Sequence, residues 1–156
     1  KHQFRITERG ISVFPRLETS LTRDVSPKAS TERVPFGIDA FDEMLCGGLM
    51  DASATLVLGP TGSGKTTLGL HFLAQVTEEA PGIMLGFYES PARLIQKAKN
   101  MGLDLEGPVA SGAVELIWCP PSENVVDELI SDLLDRTMVK GAKRANTNQT
   151  IPIRYW

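Results

Sequence analysis

Gly59-Pro60-Thr61-Gly62-Ser63-Gly64-Lys65-Thr66 carries the G-x-x-x-x-G-K-[ST] spacing of a phosphate-binding loop. The flanks match the context the motif needs. Ala54-Thr55-Leu56-Val57-Leu58 precedes it, a short apolar run with β-branched members that reads as a buried parallel strand. Thr67 to about Glu79 follows with helical spacing, Leu68, Phe72 and Val76 sharing one face. Strand, glycine loop and helix in that order indicate nucleotide binding.

The residue types suit the chemistry. Gly59, Gly62 and Gly64 let backbone N–H groups approach phosphate oxygens with no Cβ in the way. The helix that starts there, with Thr66 and Thr67 in its first turn, adds free N–H groups and the positive end of its dipole. Lys65 places a point charge on the β- and γ-phosphates. The Thr66 hydroxyl offers one oxygen to Mg2+. Pro60 and Thr61 shape the loop. The loop is therefore expected to hold a nucleotide with Mg2+ through Gly59, Thr61, Gly62, Ser63, Gly64, Lys65, Thr66 and Thr67, with Thr66 as the metal ligand.

A chain of 156 residues, 42% of them hydrophobic, has the makings of one core. It has no apolar run long enough for a membrane span. Lys1-His2-Gln3-Phe4-Arg5 lacks both a signal-peptide pattern and an initiator Met, so the chain is expected to be part of a longer protein. Cys46 and Cys119 have no metal spacing and are expected to be buried free thiols in a reducing cytoplasm. A net charge of −3 gives no electrostatic footprint for nucleic acid.

Residues 4–14 alternate around Glu8-Arg9-Gly10 and read as a hairpin, which must pack on something else to bury its apolar face. Residues 18–33 lose periodicity and read as a linker. Asp39 is placed to cap a helix from Ala40 to about Leu45, which Gly47 stops from a left-handed position. Leu49 to Ser53 is expected to be a turn. Ile83 to Glu89 is an apolar strand that ends in a carboxylate, at the end where parallel sheets bind ligands. Ser90 and Pro91 open a helix with Leu94, Ala98 and Met101 as its stripe, stopped by Gly102. Leu103 to Gly112 is expected to be a loop. Val114 to Trp118 forms a third strand, and Pro120 to about Val139 a helix with Val126, Leu129 and Leu133 inward. Alternating strands and helices predict a doubly wound, mostly parallel sheet. Ala142-Lys143-Arg144 could enter a fourth strand, but residues 145–150 are polar and irregular. A phosphate-loop ATPase normally holds Mg2+ partly through an apolar strand ending in Asp, and no such strand follows.

The run Phe36-Gly37-Ile38-Asp39-Ala40-Phe41-Asp42-Glu43-Met44-Leu45-Cys46-Gly47-Gly48-Leu49, then the phosphate loop, resembles the KaiC family of RecA-like ATPases. That family typically reads T-G-I-x-x-F-D-E-L-L-G-G-G-L, so Cys46 stands where it usually has Gly. The likeness continues through residues 86–91 and 94–105, about 34–144 in all. It implies a RecA-like domain whose last strands are missing here, with residues 1–17 as the closing hairpin of a preceding KaiC-type domain and 145–156 as an atypical tail. It also implies ATPase activity, with autophosphorylation left open, in a cytoplasmic and hexameric regulatory protein of the circadian-clock type. Of the family's two adjacent catalytic glutamates, this sequence keeps Glu89 and has Tyr88 in place of the first. Glu89 and Lys65 are thus the catalytic candidates, and Asn100 is placed near the adenine. A phenol is a poor base at neutral pH. Two other readings stay open: a RecA/RadA-like recombinase, which the acidic composition disfavours, and a non-catalytic nucleotide-binding assembly module. His71, Lys97, Lys99 and the carboxylates Asp127, Glu128, Asp132 and Asp135 read as packed or solvated side chains, and Trp118 as core.

Overall fold

The computed structural model describes residues 3–8, 10–14, 31–120 and 126–147. The early alternation forms the expected hairpin. β1 (Gln3–Thr7) and β2 (Gly10–Phe14) pair antiparallel. Phe4 opposes Val13 and Ile6 opposes Ile11, so four apolar side chains share one face, and all four are exposed. Most of the expected linker lies outside the described residues, but its last residue, Arg33, belongs to a strand. β3 (Arg33–Val34) pairs antiparallel with β4 (Leu49–Met50), where a turn was expected.

Between them lies α1 (Asp39–Met44). Asp39 does not cap it. The N-cap is Ile38, with no side-chain cap. Asp42 does the work one turn in: its carboxylate accepts from the backbone N–H of Phe36 at 2.7 Å, Gly37 at 2.9 Å and Ile38 at 3.2 Å. Ionised acceptors make strong bonds to backbone donors, and three donors on one carboxylate outcompete a single cap. Gly47 has the expected positive φ, 106°, but the residue after the C-cap, the left-handed C′ position, is one earlier. Cys46 takes it, with φ 54°, and Gly47 and Cys46 donate back to Asp42 O (2.7 Å) and Glu43 O (3.0 Å), a Schellman closure. Cys46 is exposed, not buried as expected; Cys119 is half-buried, where burial and the nearby Asp132 charge push its thiol pKa up.

The run 54–58 departs most from expectation. It joins no ladder, and Leu56, Val57 and Leu58 are 55%, 41% and 72% exposed. Among the described residues the parallel sheet has three strands, β5 (Gly82–Gly86), β6 (Val114–Trp118) and β7 (Arg144–Thr147), in the order β6-β5-β7. The outer edges of β6 and β7 have no described partner, and residues 54–58 pair with neither. β7 itself corrects the expected irregularity at Ala145–Thr147. Arg144 opposes Gly82 and Thr147 opposes Leu85.

Helices cover both faces. α2 (Lys65–Ala74) begins two residues earlier than expected and ends at Gln75. Its buried residues are Leu70 and Leu73, not the expected Leu68–Phe72–Val76 face. α3 (Pro91–Asn100) follows β5, with Leu94 and Ala98 buried and Gly102 ending it in a left-handed position. α4 (Glu106–Ser111) occupies the expected loop; Asp104 Oδ1 accepts from Gly107 N at 3.0 Å at its entry. α5 (Val126–Lys140) lies on the opposite face, ended by Gly141; the start of the expected helix, residues 121–125, lies outside the described residues. Met84 packs with Leu70, Leu73, Leu94 and Ala98, while Ile83, Leu85 and Phe87 pack with Leu129 and Leu133. Strand alternation thus builds two cores, one per face. Because α3 and α5 leave adjacent strands toward opposite faces, the carboxyl ends of β5 and β6 meet at a switch point. The architecture is the α/β arrangement that the RecA-like resemblance implies, and an ion pair from Arg5 to Glu128 at 2.8 Å ties the hairpin to α5.

Candidate functional site

The glycine loop sits where residues 54–58 hand the chain to α2. Gly62 and Gly64 both adopt φ 86°, in the left-handed region, and a Cβ built on either would meet nothing within 4 Å. The backbone can therefore turn its N–H groups toward an open concavity. Gly64 is the N-cap of α2 and supplies no side chain, so the first-turn N–H groups are not capped from within. Lys65 Nζ reaches back across the loop and donates to Gly59 O and Pro60 O, each at 2.8 Å. The ammonium is thus held at the loop mouth by carbonyls of the loop itself. Among the described residues, no protein group hydrogen-bonds the Thr66 hydroxyl. A cavity of about 290 Å3 adjoins the loop, lined by Ile38, Val57, Leu58, Ser63, Gly64, Lys65, Thr67 and Leu68. Amide donors, one ammonium and a free hydroxyl fit a magnesium-bound polyphosphate, and the apolar lining fits a flat organic group.

The other candidates lie after β5 and on the helix that follows it. β5 stops at Gly86, three residues short of the expected end, and Phe87–Glu89 bends away from the ladder. Tyr88 is 69% exposed. Glu89 forms an ion pair with Lys97, Nζ to Oε1 at 2.6 Å, so Lys97 is not merely solvated. Glu89 Oε2 is buried with no hydrogen-bond partner. No hydrogen bond or ion pair joins Glu89 to Lys65 or Thr66 among the described residues. Asn100 lies in the last turn of α3, where its Oδ1 accepts from Gln96 at 3.0 Å; it does not line the cavity beside the loop. Trp118, read as core, is half exposed, and its indole donates to Phe87 O at 3.3 Å.

Sequence reasoning missed the residue that joins these parts. Arg144 is buried in β7, and its guanidinium donates to Pro35 O at 2.7 Å and to Phe72 O at 3.1 Å. It also lies 4.6 Å over the Phe72 ring, which packs against Phe36. Burial pushes its pKa below the usual arginine range, opposed by the charge of Asp42. A cation at the last turn of α2 complements the helix dipole, so β7 fixes the far end of the loop helix. One turn earlier in α2, Asn146 packs against Gly69 so closely that a Cβ there would collide with its amide. The buried charge could not be found from the sequence, because arginine is ordinarily exposed.

Comparison with known proteins bears on this arrangement directly. A protein-family profile described as ATPase: KaiC matches residues 34–143. The chain belongs to the KaiC ATPase family. Among curated KaiC proteins, the circadian clock oscillator protein of Acaryochloris marina is 34% identical over 131 residues, covering 83% of this chain and 24% of that protein. The Parathermosynechococcus lividus protein is 35% identical over the same shares. The Prochlorococcus marinus subsp. pastoris protein is 40% identical over 104 residues, 65% of this chain and 20% of its own length. This KaiC-family chain thus spans about a quarter of the length of the relatives it matches. Among its described residues, no helix is long and apolar enough to cross a membrane.

Proposed function

We propose that this chain is an ATP-binding module of a circadian-clock-type regulatory protein, taking Mg-ATP at residues 59–67. The observation that carries the reading is the loop: two left-handed glycines open to solvent and an uncapped helix start beside Lys65. The loop amides and Lys65 bind the phosphates, and the Thr66 hydroxyl takes one position on Mg2+. Magnesium supplies charge neutralisation between the phosphate oxygens when bound. In this reading residues 1–17 close a preceding KaiC-type domain, which covers the exposed Phe4, Ile6, Ile11 and Val13 face. Cytoplasmic residence and assembly into a hexamer are part of the same proposal, supported by family membership. Isothermal titration with Mg-ATP tests it. Binding that Lys65→Ala weakens at least tenfold supports the reading, and equal binding by both proteins contradicts it.

A second reading is favoured by a separate observation: this chain binds nucleotide for assembly and does not hydrolyse it. Tyr88 is exposed beside Glu89, and none of the four residues of β7 is a carboxylate. A phenol is not ionised near pH 7 and cannot take the proton of an attacking water. Phosphate release under saturating Mg-ATP separates the two. Turnover abolished by Glu89→Gln assigns hydrolysis to the chain, and binding with no turnover assigns assembly.

A further inference from the structure

Glu89 and Lys97 are joined along α3 in a way the phosphate loop does not explain. Glu89 sits just before the helix, and Lys97 lies almost two turns along it with its stem running back. The contact is Nζ to Oε1 at 2.6 Å, with Glu89 more buried than Lys97. The other oxygen, Oε2, is buried and receives no donor from the protein. A carboxylate half withdrawn from water with an oxygen unpaired is costly, and a cation on the remaining oxygen offsets that cost. The position is the carboxyl end of β5, at the switch point of the sheet, where a ligand of this fold is expected. A polyphosphate arriving there meets a fixed negative charge unless something cancels it.

We propose that Lys97 is a positioning residue of the nucleotide site: it grips Glu89 Oε1, fixes the carboxylate after β5 and neutralises it toward the phosphates of a bound nucleotide. This rests on the Mg-ATP reading above. Lys97 does not touch the phosphates. It acts through Glu89, so its effect on binding exists only while Glu89 carries a charge. Removing the lysine leaves a bare carboxylate at the carboxyl end of β5, the end where this proposal puts the nucleotide, and at low salt its repulsion of a multiply charged ligand is weakly screened. Removing both restores neutrality.

The test is a double-mutant cycle on Mg-ATP affinity, read by titration calorimetry at low salt, with thermal melts to confirm folding. Lys97→Met is expected to weaken Mg-ATP binding roughly three- to tenfold. Lys97→Arg keeps the charge and is expected to stay within about twofold of the parent. In a Glu89→Gln background, Lys97→Met is expected to change affinity by less than about twofold. A purely structural role would lower the melting temperature and weaken binding equally in both backgrounds, which overturns the proposal. Unchanged affinity in Lys97→Met also overturns it. If the parent chain takes no Mg-ATP, the phosphate-loop reading itself fails, and that outcome is distinct from binding that ignores Lys97.

Discussion

Replacing Cys46 with glycine should stabilise the domain, and the geometry sets the size of the effect. Cys46 holds φ 54° at the position where α1 closes, fixed by bonds from Gly47 to Asp42 O at 2.7 Å and from Cys46 to Glu43 O at 3.0 Å. A residue with a Cβ pays about 1–2 kcal/mol for that conformation. Glycine avoids it but loses more freedom on folding, which returns about 0.4–1 kcal/mol. The net expectation for Cys46→Gly is a gain of about 0.5–1 kcal/mol, a rise of about 1–4 °C in Tm for a chain of this size. Differential scanning calorimetry in reducing buffer reads it. Cys46→Ala keeps the Cβ and should stay within about 0.5 kcal/mol of the parent. Cys46→Val adds branching where φ is positive and should cost about 1 kcal/mol more. If alanine stabilises as much as glycine, the gain comes from losing the thiol and the backbone argument is wrong. If glycine is neutral, the strain is no larger than the cost of about 0.4–1 kcal/mol that glycine's extra freedom carries.

Arg144→Met removes two partly buried bonds to the Pro35 and Phe72 carbonyls and the stack on Phe72, so it should destabilise by about 2–4 kcal/mol in urea unfolding; a loss under about 1 kcal/mol would show that β7 does not anchor α2. Gly64→Ala puts a Cβ on a left-handed residue at the head of α2 and should lower Mg-ATP affinity at least tenfold with only about 1 kcal/mol lost in stability, read by calorimetry and thermal melts in parallel. Glu115 supplies a pH dependence. Partial burial alone would raise its pKa, but bonds from Arg136 at 2.6 Å and Lys140 at 3.2 Å outweigh that and hold it below the usual glutamate range. A depressed carboxylate stabilises the fold above its unfolded pKa and loses that contribution as pH falls through the folded value. Glu115→Gln should therefore melt below the parent at pH 7, with the gap closing as the pH falls below the ordinary glutamate range and through the depressed folded pKa; a gap independent of pH contradicts the ion-pair account.

The parts legible in the sequence were those set by local chemistry. The hairpin, the helix from Pro91 to Asn100 with its glycine stop, the strand at 114–118 and the loop glycines all follow from spacing within about ten residues. What failed depends on partners far along the chain. An apolar run such as Leu56-Val57-Leu58 becomes a strand only where it pairs with a neighbour, and periodicity carries no information about pairing. Residues 144–147 look polar and irregular but complete the ladder beside Gly82–Leu85, because the side of β5 away from β6 needs a partner. Asp42 replaced Asp39 as the capping carboxylate, since only the folded turn shows three N–H groups converging on it. At the site, Lys65 and Thr66 could be named from the motif. The Lys97 grip on Glu89 could not, because an (i, i+8) contact lies outside the helix spacings that sequence patterns test.

The central claim is that the amides of the glycine loop cradle phosphates, and amide chemical shifts test it most directly. Mg-ATP added to 15N-labelled protein should move the resonances of Gly62, Ser63, Gly64, Lys65 and Thr66 most, because their N–H groups would donate to phosphate oxygens. Adenosine at the same concentration brings no phosphate and should move those five much less, even with its base in the cavity that Ser63, Gly64 and Lys65 help to line. If Mg-ATP at millimolar concentration leaves the loop amides in place, or adenosine shifts them as far, residues 59–66 are a glycine-rich turn and not a phosphate site.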